Sequence, residues 1–95
     1  MSAPRRLHAL SIDVEDWFHP ELVRRHVEAG ACIPMVRQAA RPLLEMLVRR
    51  GVRATFFVVG QAAQSCPDLV RQIVAAGHEI GCHTATHRPL WDLTP

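Results

Sequence analysis

Nowhere does this chain hold the roughly 20 consecutive apolar residues that a membrane-spanning helix requires, so a membrane span is not expected. It also has no glycine-rich phosphate loop of the P-loop or dinucleotide type, which removes nucleotide chemistry from the leading options. It lacks any block of like charge. Eleven basic side chains against nine acidic ones leave a formal charge of +2, with the arginines scattered, so nucleic acid is not an implied partner. Cysteine is scarce and odd in number: Cys32, Cys66 and Cys82 lie far apart and read as buried or incidental thiols, not as a disulfide framework. Arg5 and Arg6 precede some apolar residues, but Asp13 arrives before a signal-peptide h-region is complete, so the expected compartment is the reducing cytoplasm. Internal repeats, low-complexity tracts and linkers are missing as well. What remains is an ordinary globular composition, 48% apolar and 21% charged over 95 residues, enough for one small domain at most.

The pattern along the chain alternates strand and helix. Leu7 to Val14 mixes β-branched and apolar types and reads as a buried first strand ending at Asp13 to Asp16. The stretch from Glu21 to Gly30 is a short helix or an ordered loop. From Met35 to Arg50, Val36, Ala39, Ala40, Leu43, Leu44, Leu47 and Val48 recur at helical spacing, with Pro42 expected to kink or interrupt the helix and Gly51 to stop it. Val52 to Val59 is nearly continuous in apolarity, as a strand covered on both faces should be, with Phe56 and Phe57 as core residues. Pro67 opens a second clear helix that carries Leu69, Val70, Ile73 and Val74 and ends at Gly77. His78 to Cys82 reads as a third strand, and Thr94 with Pro95 as the cap and first turn of a further helix. Such alternation predicts an α/β fold with a parallel sheet and right-handed crossover helices.

In such folds, ligand sites form at the carboxyl ends of the strands. Asp13 and Glu15 are two residues apart and project to the same side if the strand continues, while Asp16 belongs to the turn that follows. The plainer reading of this cluster is that Asp13 and Asp16 cap a helix or brace a turn. His83 and His87, spaced i and i+4, are expected on one helical face at a separation suited to joint metal ligation; the plainer reading is two surface histidines. Coincidence raises the functional reading: carboxylates and imidazoles both fall at strand exits and together offer the mixed nitrogen and oxygen set that Zn²⁺ accepts in catalytic sites. Three protein ligands leave a position for water. His78 and His83 with Glu79 between them are one residue too far apart for the helix-borne zincin motif, and Cys82 is expected to pack, not to ligate. His8, His26 and His78 have no partner at fixed spacing and are expected at the surface or behind the site.

SIDVEDW at 11–17, ATFFVVG at 54–60 and GHEIGCHTATH at 77–87 resemble, in order and spacing, the polysaccharide deacetylases of the NodB type, carbohydrate esterase family 4. Most members carry two adjacent aspartates in the first motif, a catalytic base followed by a metal ligand, whereas here Val14 follows Asp13. By position Asp13 matches the base. The ligand role is open between Glu15 and Asp16, with Glu15 favoured because it shares the side of Asp13. His83 and His87 match the two metal-binding histidines, and the variant that begins DVEDWFH resembles the branch associated with bacterial exopolysaccharide assembly and protein sorting. The resemblance implies a distorted (β/α) barrel of which residues 1–95 supply about the first three parallel strands, as the N-terminal part of a NodB homology domain whose C-terminal part is absent.

It further implies hydrolysis of N-acetyl groups on an aminosugar polysaccharide with a divalent metal, Zn²⁺ first among candidates, and with a desolvated Asp13 accepting a proton from water. The family's oxyanion donor and acid histidine come from later motifs; the chain has no tyrosine and no downstream Arg, Asp-Trp or Leu-His segment of the family pattern. Losing one oxyanion donor costs roughly 2.7 to 4 kcal/mol, so full activity of these residues alone is not expected. An exposed sheet edge is expected to be covered by a C-terminal half or an oligomer. Two other functions compete: a noncatalytic remnant that binds metal or glycan, and a small-amide hydrolase of the allantoinase-like type.

Overall fold

Short runs of β-branched and aromatic residues form the strands, and the computed structural model describes residues 4–94. The strands are β1 (Ser11–Val14), β2 (Thr55–Val58) and β3 (Glu79–Cys82), paired in parallel in the order β1-β2-β3. Register sets Asp13 beside Phe57 and Phe57 beside Gly81. Parallel neighbours need long crossovers. The first crossover contains α1 (Glu21–Arg24), a 3₁₀ turn at Ala29–Ala31 and α2 (Val36–Arg50); the second contains α3 (Gly60–Ser65) and α4 (Pro67–Ala75). A 3₁₀ turn at Leu90–Asp92 follows β3. This is a partial (β/α) barrel: three parallel strands with their crossover helices. No helix among the described residues is long and apolar enough to cross a membrane.

Val36, Ala40, Leu44 and Leu47 form the buried stripe of α2, and Leu69 and Ile73 that of α4. They pack with Val14, Phe56, Val58 and Val59 in one core, in which Phe56, Val59 and Ile73 are fully enclosed. Because side chains alternate along a strand, Ile12, Val14, Phe56 and Val58 point into this core, while Ser11, Asp13, Thr55, Phe57, Glu79 and Gly81 share the other face. Among the described residues no helix packs against that second face, which corrects the expectation of a β2 covered on both sides: Phe57 is 36% exposed. Its ring lies across Gly81, where a Cβ would fall 2.5 Å from the ring.

Several local expectations also change. α2 runs through Pro42 without a break, because Pro42 sits on the exposed side of the helix, where water can satisfy the carbonyl it leaves free, and the buried stripe holds both halves. Gly51 ends the helix at φ 63°, as its position predicts. The first strand is four residues long, and Leu7, at 90% exposure, lies outside it. α3 has no counterpart in the sequence reading, since a six-residue helix with one buried residue, Ala62, leaves no periodic stripe. His78 is buried, not at the surface: its Nδ1 accepts the Ala54 N–H at 3.0 Å, and its ring packs on Phe56 at 4.9 Å. Cys82 is exposed, contrary to its expected packing role. The further helix expected to open at Thr94 and Pro95 falls at the end of the described residues, with Pro95 outside them.

Candidate metal centre

Both loops that carry chemistry leave the carboxyl ends of strands on neighbouring sides of β2. At the β1 exit, Asp13 and Glu15 stay on one side of the chain and Asp16 turns away. Asp16 is 3% exposed, and its Oδ1 accepts the N–H groups of Met35 at 2.6 Å and Val36 at 3.1 Å. The start of α2 has no cap of its own, so a carboxylate from far back in the sequence supplies it. For Asp16 the plain capping reading therefore holds, and its carboxylate is engaged away from the histidines.

At the β3 exit, the expected helical face for His83 and His87 is replaced by a tight loop. Thr84 and His87 both take left-handed backbone, φ 62° and 63°, a conformation uncommon for non-glycine residues and an outlier for a β-branched one. The loop is fastened on several sides. The Thr84 hydroxyl oxygen accepts the His87 N–H at 2.9 Å, the His83 N–H donates to Val58 O at 3.0 Å, and the Gly60 and Gln61 N–H groups donate to Thr84 O and Ala85 O at 2.9 and 2.8 Å. These bonds bring the two imidazoles to 4.8 Å between centroids. Gly60 permits that approach, because a Cβ there would meet the Ala85 backbone at 3.1 Å. Gly60→Ala is expected to push the loop outward and cost about 1–3 kcal/mol, as overpacking does. A thermal melt together with displaced His83 and His87 imidazole resonances checks this.

Glu15, His83 and His87 each contribute one ligand-type atom to a group in which all lie within 4.8 Å of one another. Glu15 Oε2 stands 3.0 Å from His87 Nε2 and 3.7 Å from His83 Nε2, and Asp13 Oδ2 stands 3.6 Å from His83 Nε2. The 3.0 Å approach lacks hydrogen-bonding geometry, since Glu15 Oε2 has no hydrogen-bond partner, and neither has His83 Nε2, although both atoms are buried. Buried polar atoms are nearly always paired, and here an acceptor oxygen and imidazole nitrogens converge on shared space. That donor set fits a divalent cation of the zinc type. Asp13 differs from Glu15 in exposure. Its side chain is 52% exposed against 23% for Glu15, so the dry setting expected for Asp13 is not supplied by these residues.

Sequence reasoning passed over His19 and Gln61, which bond to Asp16 and Ala85, neighbours in sequence of Glu15 and of the two histidines. His19 is 3% exposed, with Nδ1 accepting the Asp16 N–H at 2.8 Å and Nε2 lying 3.1 Å from Gln61 Oε1. The available signal was a histidine three residues after Asp16, close enough for a local side-chain to backbone bond.

The sequence model for polysaccharide deacetylases matches residues 30–95, a span that contains β2, β3, His83 and His87. The chain belongs to the polysaccharide deacetylase family. It is similar to a chitooligosaccharide deacetylase of Sinorhizobium fredii, 48% identical over 48 residues that make up 50% of this chain and 22% of that protein. A chitooligosaccharide deacetylase of Bradyrhizobium is 46% identical over the same shares of each chain. A peptidoglycan-N-acetylglucosamine deacetylase of Bacillus cereus is 42% identical over 47% of this chain and 16% of its own length. The matched segments thus span about a fifth of the curated relatives.

Proposed function

We propose that this deacetylase-family chain forms the N-terminal part of a divalent-metal hydrolase that removes N-acetyl groups from an aminosugar polysaccharide, leaving free amine and acetate. The observation that carries the reading is the convergence of Glu15 Oε2 and His83 Nε2, buried and unbonded, with His87 beside them. Glu15, His83 and His87 would hold the cation; when bound, it polarises the amide carbonyl and makes water a competent nucleophile near neutral pH. Asp13 lies next to this group but on the open face of the sheet, where its Oδ2 accepts the proton of the attacking water. Its exposure leaves an approach for substrate from that side. The names of the similar chitooligosaccharide and peptidoglycan deacetylases support an N-acetylglucosamine polymer as the substrate class.

Two measurements test this. Calorimetric titration of the purified protein with Zn²⁺ is expected to give one site, lost in His83→Ala and in His87→Ala. In the longest active form that contains this chain, Asp13→Asn is expected to keep the zinc and lower acetate release from chitooligosaccharide by about 10² to 10⁴-fold, the usual worth of a general base. Wild-type zinc affinity in both histidine variants would overturn the reading. Zinc binding with no acetate release from any longer form would favour the noncatalytic alternative.

A further inference from the structure

The two loops of the candidate centre are joined by a polar link that lies beyond the ends of the strand ladder. His19 Nδ1 accepts the Asp16 main-chain N–H, which leaves the ring proton on Nε2, aimed at Gln61 Oε1. Gln61 uses its own main-chain N–H to hold Ala85 O at 2.8 Å, and Ala85 is two residues from both His83 and His87. Asp16, at the other end of the link, directly follows Glu15 and is anchored to α2. A continuous run therefore leads from Asp16 through His19 and Gln61 to Ala85, crossing 42 residues of sequence at the His19 to Gln61 step. His19 is locked in place by burial and by the Phe18 ring 4.7 Å away, whereas Gln61 is exposed.

We infer that His19 and Gln61 are positioning residues: they clamp the carboxylate loop to the histidine loop and so set how far Glu15 stands from His83 and His87. The inference rests on the metal-site reading above. Groups that fix a ligand's orientation from behind typically contribute about 10 to 100-fold in metal affinity. The clamp makes a demand that mere packing does not, because Gln61 must present an oxygen to the His19 N–H.

The test uses Zn²⁺ and Co²⁺ alone as probes on the purified protein, with thermal melts alongside. Gln61→Met, at an exposed position where no cavity opens, is expected to stay folded with a melt lowered only by the unpaired His19 N–H, to weaken zinc by about 10 to 100-fold and to alter the visible absorption of bound Co²⁺. Gln61→Glu, which retains an acceptor oxygen, is expected to restore the wild-type Co²⁺ spectrum. His83→Ala serves as the control that abolishes binding. If His83→Ala abolishes binding while Gln61→Met leaves affinity and spectrum unchanged, the clamp is refuted and the metal site stands. If Gln61→Glu alters the spectrum as much as Gln61→Met does, the clamp is likewise refuted. Should His83→Ala bind as wild type, the metal-site reading falls and takes the clamp with it.

Discussion

Glu15→Gln is expected to lose zinc binding by more than about 100-fold, beyond what loss of a group behind a ligand costs, with the thermal melt little changed. Asp16→Ala is expected to do the reverse. The difference follows from where the two neighbouring carboxylates point: Glu15 Oε2 faces the imidazoles without a hydrogen bond, while Asp16 Oδ1 is occupied by two main-chain N–H groups at the start of α2. Removing the Asp16 carboxylate leaves buried donors unpaired, at a cost of about 1.5–3 kcal/mol for hydrogen bonds to a charged group. Its main-chain N–H, which holds His19, survives in the alanine variant, so zinc affinity should fall far less than in Glu15→Gln. Zinc titration and urea unfolding of the two variants side by side check the assignment; equal zinc affinity in both would remove Glu15 from the ligand set.

The largest expected stability effect is at Phe56. Its ring is 1% exposed, between the sheet and the helices that carry Leu47 and Ile73, and Phe56→Ala is expected to cost about 3–5 kcal/mol. Domains of this size have about 5–15 kcal/mol in total, so the variant should be largely unfolded at urea concentrations the wild type tolerates. Phe57→Ala, one residue along and on the uncovered face, should cost clearly less. Far-UV circular dichroism against urea separates the two, and a Phe57→Ala cost equal to that of Phe56→Ala would mean that the second face is as well packed as the first.

The adjacency of Phe56 and Phe57 also shows where sequence reading stopped. Both rings sit in one apolar run, and a run without alternation reads as a strand buried on both sides, whereas a partial barrel has helices against one face only. α2 was legible because four buried residues recur at helical spacing over fifteen positions, and Gly51 ends it as its backbone requires. α3 was not, because one buried alanine in six residues makes no period. Within the candidate centre, the i and i+2 relation of Asp13 and Glu15 carried over to one side of the chain, since strand geometry is local. The proximity of His83 and His87 had a different cause from the helical one assumed: left-handed backbone at Thr84 and His87, fixed by carbonyls that receive N–H groups from Gly60 and Gln61. Those contacts are tertiary, and no spacing rule contains them. The same holds for His19, whose partner Gln61 is 42 residues away.

The helix-free face of the sheet constrains anything that comes to rest on it. Ser11, Asp13, Thr55 and Glu79 line that face, and one phenylalanine is its sole large apolar side chain among the described strand residues. The Thr55 hydroxyl donates to Glu79 Oε2 at 3.1 Å, but a purely greasy roof would cut the Ser11 hydroxyl and the remaining carboxylate oxygens off from water, a penalty that grows with every oxygen it covers. The complementary surface must instead bring its own donors or admit water, so whatever lies over Asp13 has to be polar or hydrated.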